Sequence, residues 1–160
     1  MSMTINSPSI VDDSAFTVTR TIMIAAPVDK VWSAVAEPEH VSRWFGRLEL
    51  DGTGAGAAGT LSWTDGPRIP IRVETVDEPR SISYRWGNDD ASGTMSAELD
   101  DATSTVFTFT LVATDEGTEL TVVETGFERT SDPAFNLAEH GKGWNGELDK
   151  LAALFENEAG

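Results

Sequence analysis

The sequence predicts a single α+β domain, an antiparallel sheet packed on one long C-terminal helix, and three observations carry that prediction. Apolar residues recur at every second position in six stretches between Phe16 and Val122, the period of half-buried strands. Gly, Pro, Asp and Asn separate these stretches, which is turn chemistry suited to a meander. Towards the C-terminus the period changes: Trp144, Leu148, Leu151 and Phe155 fall at i, i+4, i+7 and i+11, a single stripe along a helix.

Residues 1–15 mix Ser, Asn, Pro and Asp with few apolar groups and are expected to form a flexible tail, so the domain is drawn over 16–158. Phe16, Val18, Ile22 and Ile24 then predict a first strand, with Arg20 in phase on the same face. Pro27 stops that strand and opens a short helix over 27–36, whose face is Val28, Val31, Trp32 and Val35. After Pro38, the three- and four-residue spacings of Val41, Trp44 and Phe45 predict a second helical turn over Glu39–Trp44, ended by Gly46. The stretch DGTGAGAAGT at 51–60 has glycines at 52, 54, 56 and 59, with neither G-x-G-x-x-G nor a following Lys-Ser/Thr pair. It reads as a hairpin connection, not a phosphate cradle.

Five further strands follow, marked by Leu61 and Trp63; by Ile69, Ile71 and Val73; by Ile82, Tyr84 and Trp86; by Phe107, Phe109 and Leu111; and by Leu120 and Val122. Their other face carries Arg72, Glu74, Ser83, Arg85, Thr108 and Thr110, as expected of a sheet with one wet side. A further short strand is expected around Met95–Leu99, within the acidic stretch 87–103. Asp132-Pro133 is a helix start, with Asp132 placed to cap and Pro133 at the first helical position. Gly141, Gly143 and Gly146 each weaken the ensuing helix by about 1 kcal/mol relative to Ala, so a bend or a close approach is expected near Trp144.

Composition narrows the function classes. A chain of 160 residues that is 39% hydrophobic can bury a sizeable core, and the absence of cysteine removes disulfides, thiolate nucleophiles and thiolate metal sites. The amino terminus lacks the basic and apolar regions of a secretory signal, and no apolar run approaches the ~20 residues that span a bilayer, so a cytoplasmic location away from membranes is expected. The net charge of −16 is uneven: residues 87–160 hold 16 acidic and 3 basic groups, and the remainder nets only −3. Nucleic-acid binding needs phosphates neutralised by Lys and Arg, so this balance argues against DNA or RNA partners.

The segment RTIMIAAPVDKVWSAVAEPEHVSRWFG at 20–46 resembles the opening of the activator of heat-shock-protein ATPase homologue-like family, within the START-related SRPBCC superfamily. GTELTVVETGF at 117–127 and NLAEHGKGWNGELDKLAALF at 136–155 are similar to that family's last strand and closing helix. The resemblance implies a helix-grip fold, a curved seven-stranded antiparallel sheet around the C-terminal helix, with a cavity between them and first and last strands side by side. It transfers no reaction, because one scaffold serves lipid carriers, cyclases, hormone receptors and co-chaperone modules.

An apolar cavity is lined mainly by aromatic and aliphatic groups with a few polar handles. Trp44, Phe45, Trp63, Tyr84, Trp86, Phe107, Phe109, Phe127, Trp144 and Leu148 are the candidate lining, and the alternative is that they simply fill the interior; Trp32 reads as plain core. Arg20 and Glu124 both fall in phase with apolar residues and, on neighbouring strands, are expected to form an interior ion pair, with Glu124 the one clear interior carboxylate. The only histidines, His40 and His140, each follow a Glu but make no metal motif, and no Ser lies in a nucleophile elbow. The expectation is therefore a non-catalytic binder of a small apolar molecule, lipid-like or aromatic, with no metal or cofactor. A chaperone-contacting module is the alternative, and a cyclase or hydrolase using Glu124 a third reading.

Overall fold

The computed structural model describes residues 6–64, 66–92 and 98–159. Strand β1 (Ile10–Asp12) pairs with β2 (Thr17–Ile24), which buries Val18, Arg20, Ile22 and Ile24 on its inner face. Pro27 precedes helix α1 (Val28–Ala36), and Pro38 opens the single turn α2 (Pro38–Val41). Two buried donors fasten the end of α1 to the core: Trp44 Nε1–H reaches the Ala34 carbonyl at 2.7 Å and the Tyr84 hydroxyl reaches that of Val35 at 2.6 Å. Both carbonyls lie in the last turn, where helical partners are missing.

The meander then runs β3 (Arg47–Asp51), β4 (Ala58–Ser62), β5 (Arg68–Asp77), β6 (Ser81–Trp86), β7 (Thr105–Thr114) and β8 (Gly117–Thr125). The strand order is β1-β2-β8-β7-β6-β5-β4-β3, antiparallel throughout, so β8 returns to pair with β2 and sets the first long strand beside the last. Left-handed backbone at Gly52, Gly54 and Gly56 explains the glycine-rich β3–β4 connection. Helix α3 (Pro133–Ala159) starts as expected, with Asp132 Oδ1 accepting the Phe135 N–H at 3.2 Å, and its Trp144, Leu148 and Leu151 are buried.

Two expectations, the strand count and the wholly flexible tail, are corrected. The sheet has eight strands among the described residues rather than seven, because part of the expected flexible tail is strand β1. Its anchors are polar: the Ser9 N–H donates to Asn145 Oδ1, and Asn6 Oδ1 accepts from the Met23 N–H. Strand β3, unmarked in the sequence, pairs with β4 at the far edge. Of the strand expected around Met95–Leu99, residues 93–97 lie outside the described residues and Leu99 belongs to no regular element. No described helix is long and apolar enough to cross a membrane.

Candidate functional site

Aromatic packing fills most of the space between sheet and helix. Trp44 stacks on Phe45 at a centroid separation of 4.9 Å, and Phe45 in turn meets Trp63, Trp86, Phe107 and Trp144. Phe107 also packs on Tyr84, Phe109 and Trp144. Trp44, Tyr84, Phe107, Phe109, Phe127 and Leu148 are thus core, not the lining of an open interior. A cleft of about 360 Å³ opens where α3 meets the sheet, bordered by Phe45, Trp63, Trp86 and Trp144, of which Phe45, Trp86 and Trp144 are themselves buried. Trp63, just past β4, is the half-buried wall, held by its Nε1–H to Glu147 Oε1 at 2.9 Å.

Beneath the cleft lies Glu124, fully buried near the end of β8. Its carboxylate accepts from Trp86 Nε1 at 2.8 Å, Trp144 Nε1 at 2.9 Å, the Thr105 hydroxyl at 2.5 Å and His140 Nδ1 at 2.8 Å. Two walls of the cleft are therefore pinned by one anion. His140 Nε2 lies 2.9 Å from the Asn88 carbonyl and 3.3 Å from Asp90 Oδ2. A carbonyl only accepts, so Nε2 carries a proton; with a carboxylate at Nδ1, the ring is an imidazolium. Burial pulls the His140 pKa down, but the charge and hydrogen bonds of Glu124 and Asp90 outweigh it and raise the value to about 10. Burial likewise pushes Glu124 up, and His140, Thr105 and Trp144 hold it below the ordinary carboxylate value. The pair is a saturated structural clamp: at neutral pH His140 has no lone pair to act as a base.

The expected Arg20–Glu124 ion pair does not form. Both groups face inward, as their phase requires, but the Arg20 guanidinium donates to the carbonyls of Ser7 at 3.0 Å and Asn145 at 2.8 Å and to Asp149 at 2.7 Å. Glu124 is neutralised instead by His140. The signal was present: Asn136, His140, Trp144 and Leu148 follow at four-residue intervals and are all buried, so His140 continues the apolar stripe of α3.

The glycines of α3 fall into two groups. A Cβ on Gly141 would meet Val11 Cγ2 at 3.0 Å, so that glycine admits the close approach of β1. Around Gly143 and Gly146 nothing lies within 4 Å of such a Cβ, and both line the cleft. The rim is charged but paired: Asp90 with His140, Glu139 with Lys142, and Glu147 with Lys150. Among the described residues no group of His, Asp and Glu is arranged to hold a metal ion.

A curved antiparallel sheet closed by a long C-terminal helix defines the helix-grip class of the SRPBCC proteins. Within it, the chain belongs to the family described as Activator of Hsp90 ATPase homolog 1-like protein, whose profile matches residues 25–156. No curated protein matches the chain significantly. Protein MLL2253 of Mesorhizobium loti is 26% identical with a TM-score of 0.71, covering 88% of this chain and 97% of its own. DynU16, a protein of the dynemicin biosynthetic locus, is 28% identical with a TM-score of 0.70; the match covers 91% of this chain but 48% of DynU16. CalU16 of Micromonospora echinospora, 21% identical with a TM-score of 0.66 over 99% of this chain and 89% of its own, shares the fold.

Proposed function

We propose that the chain binds a small, flat, largely apolar molecule in the cleft between α3 and the sheet, without transforming it. The carrying observation is the pair Gly143 and Gly146: each weakens the helix by about 1 kcal/mol relative to Ala, no neighbour requires either, and both border the open space. Gly143 lies next to His140 and Glu147 on the face of α3 turned to the cleft, so a side chain there would enter the space beside Trp86 and Trp144. Membership of DynU16 in a biosynthetic locus supports a small-molecule role for this architecture. The saturated Glu124–His140 pair supports binding over catalysis, since it shapes the walls and has no lone pair to offer a substrate.

Titration with N-phenyl-1-naphthylamine, a neutral aromatic probe, tests this reading. Binding is expected to change the tryptophan emission and raise the melting temperature through linkage, and Gly143→Leu to abolish both effects. If a panel of planar aromatic probes moves neither signal, the reading is wrong. A second reading, contact with a chaperone ATPase, is favoured by the family description. The acidic surface would make such a contact weak at physiological salt, so stimulation of a chaperone ATPase severalfold under those conditions would move that reading ahead.

A further inference from the structure

The wall chemistry and the charge around the cleft narrow the ligand class, an inference that rests on the cleft being a binding site. Four aromatic residues wall it, and the negative faces of such rings favour cations. Asp90, Glu139 and Glu147 stand on the rim, Glu147 only 14% exposed, with the buried anion of Glu124 behind Trp86 and Trp144. Against these four carboxylates are three cations, His140, Lys142 and Lys150, each engaged by an acid: Asp90 and Glu124 at His140, Glu139 at Lys142, Glu147 at Lys150. The site therefore has net negative charge, in a molecule of net charge −16, and no lysine at the cleft is uncommitted.

An anionic ligand would meet this field unfavourably. A neutral one would strip water from the rim carboxylates without replacing it. A planar cation satisfies both walls and rim, its ring lying against the half-buried indole of Trp63 and its charge towards Glu139 and Glu147. We infer that the cleft is selective for a planar aromatic cation, such as a protonated heteroaromatic amine.

Three probes sharing one skeleton test this: 9-aminoacridine, acridine and acridine-9-carboxylate, compared at mildly alkaline pH where they are cationic, neutral and anionic. The expected order of affinity is cation, then neutral, then anion, with the cation's lead shrinking as salt is added. Glu139→Gln, which removes a rim charge that holds no wall of the cleft, should weaken 9-aminoacridine about two- to fivefold and leave acridine unchanged. Gly143→Leu, which places a side chain on the cleft face of α3 at constant net charge, separates the site from general attraction to an acidic protein and should remove binding of all three. If acridine or its carboxylate binds at least as tightly as the amine, the cation inference is overturned and the cleft stands. If Gly143→Leu changes none of the affinities, the cleft reading falls with it.

Discussion

Arg20 and Glu124 sit on the inner faces of adjacent strands, both almost without exposure, and the protein neutralises them in opposite ways. Arg20 spends its donors on backbone carbonyls and on Asp149, a carboxylate that is 66% exposed. Its long stem and forked head let it lean out of the core towards water. Glu124 has a short stem and only acceptors. It must be met where it stands, and its four donors come from β6, β7 and α3. A buried arginine can be accommodated by whatever backbone is near, whereas a buried carboxylate commits several side chains to one geometry.

That contrast sets the largest expected effect. Glu124→Leu leaves the buried His140 charge with only the partly exposed Asp90 opposite it and takes the acceptor from the Trp86 and Trp144 indoles, and should cost about 3–5 kcal/mol in urea unfolding. The double variant Glu124→Leu, His140→Leu should cost much less, because no uncompensated charge remains. Additive single effects would show that the two do not act as a pair.

The same pair fixes the dependence on pH. His140 is raised in the folded state from 6.5 to about 10, so its contribution is complete below 6.5 and is lost as the pH climbs through about 10. Glu124 is lowered from 4.5, so its contribution is complete above 4.5 and is lost as the pH falls through its lower folded value. Denaturation midpoints across the pH range should show a plateau between 4.5 and 6.5 with a decline on the alkaline side. His140→Gln should flatten that alkaline decline; a slope unchanged by the substitution would exclude His140 as its source.

Arg20 marks the milder side of the contrast. Arg20→Met keeps the stem's packing and leaves behind carbonyls and a solvated carboxylate, so a loss of about 2 kcal/mol is expected. Its coupling to Glu124 in a double-mutant cycle should be smaller than that between Glu124 and His140. The reverse ranking would mean that Trp144, which touches both through its carbonyl and its indole, transmits more than either charge does directly.

These residues also show how far the sequence could be read. Periodicity is local, so the inward phase of Arg20 and Glu124, the α3 stripe and the order of the principal elements were legible without coordinates. Partners are not local: choosing between Arg20 and His140 for Glu124 depends on where α3 crosses the sheet, and nothing in the spacing gives that angle. A lone histidine such as His140 carries no motif, although its place four residues before Trp144 puts it on the buried face. Strand β1 escaped because it is three residues long, exposed, and held partly by asparagine side chains.

The smallest stability change expected is the one that bears most directly on function. Gly143 and Gly146 occupy mid-helix positions with open space where a side chain would begin, so Ala at either should fit without strain and add up to about 1 kcal/mol of helix stability. Gly141 is the internal control: the same change there would press on Val11 at 3.0 Å and should bring less gain, or a loss. If the cleft binds a ligand, the stabilised Gly143→Ala, Gly146→Ala protein should hold its probe more weakly, because the two methyl groups narrow the floor on which it lies. Higher melting temperature with lower affinity would locate these glycines at a site kept open against the preference of the helix. Higher melting temperature with unchanged affinity would mean that the helix simply carries two unoptimised positions.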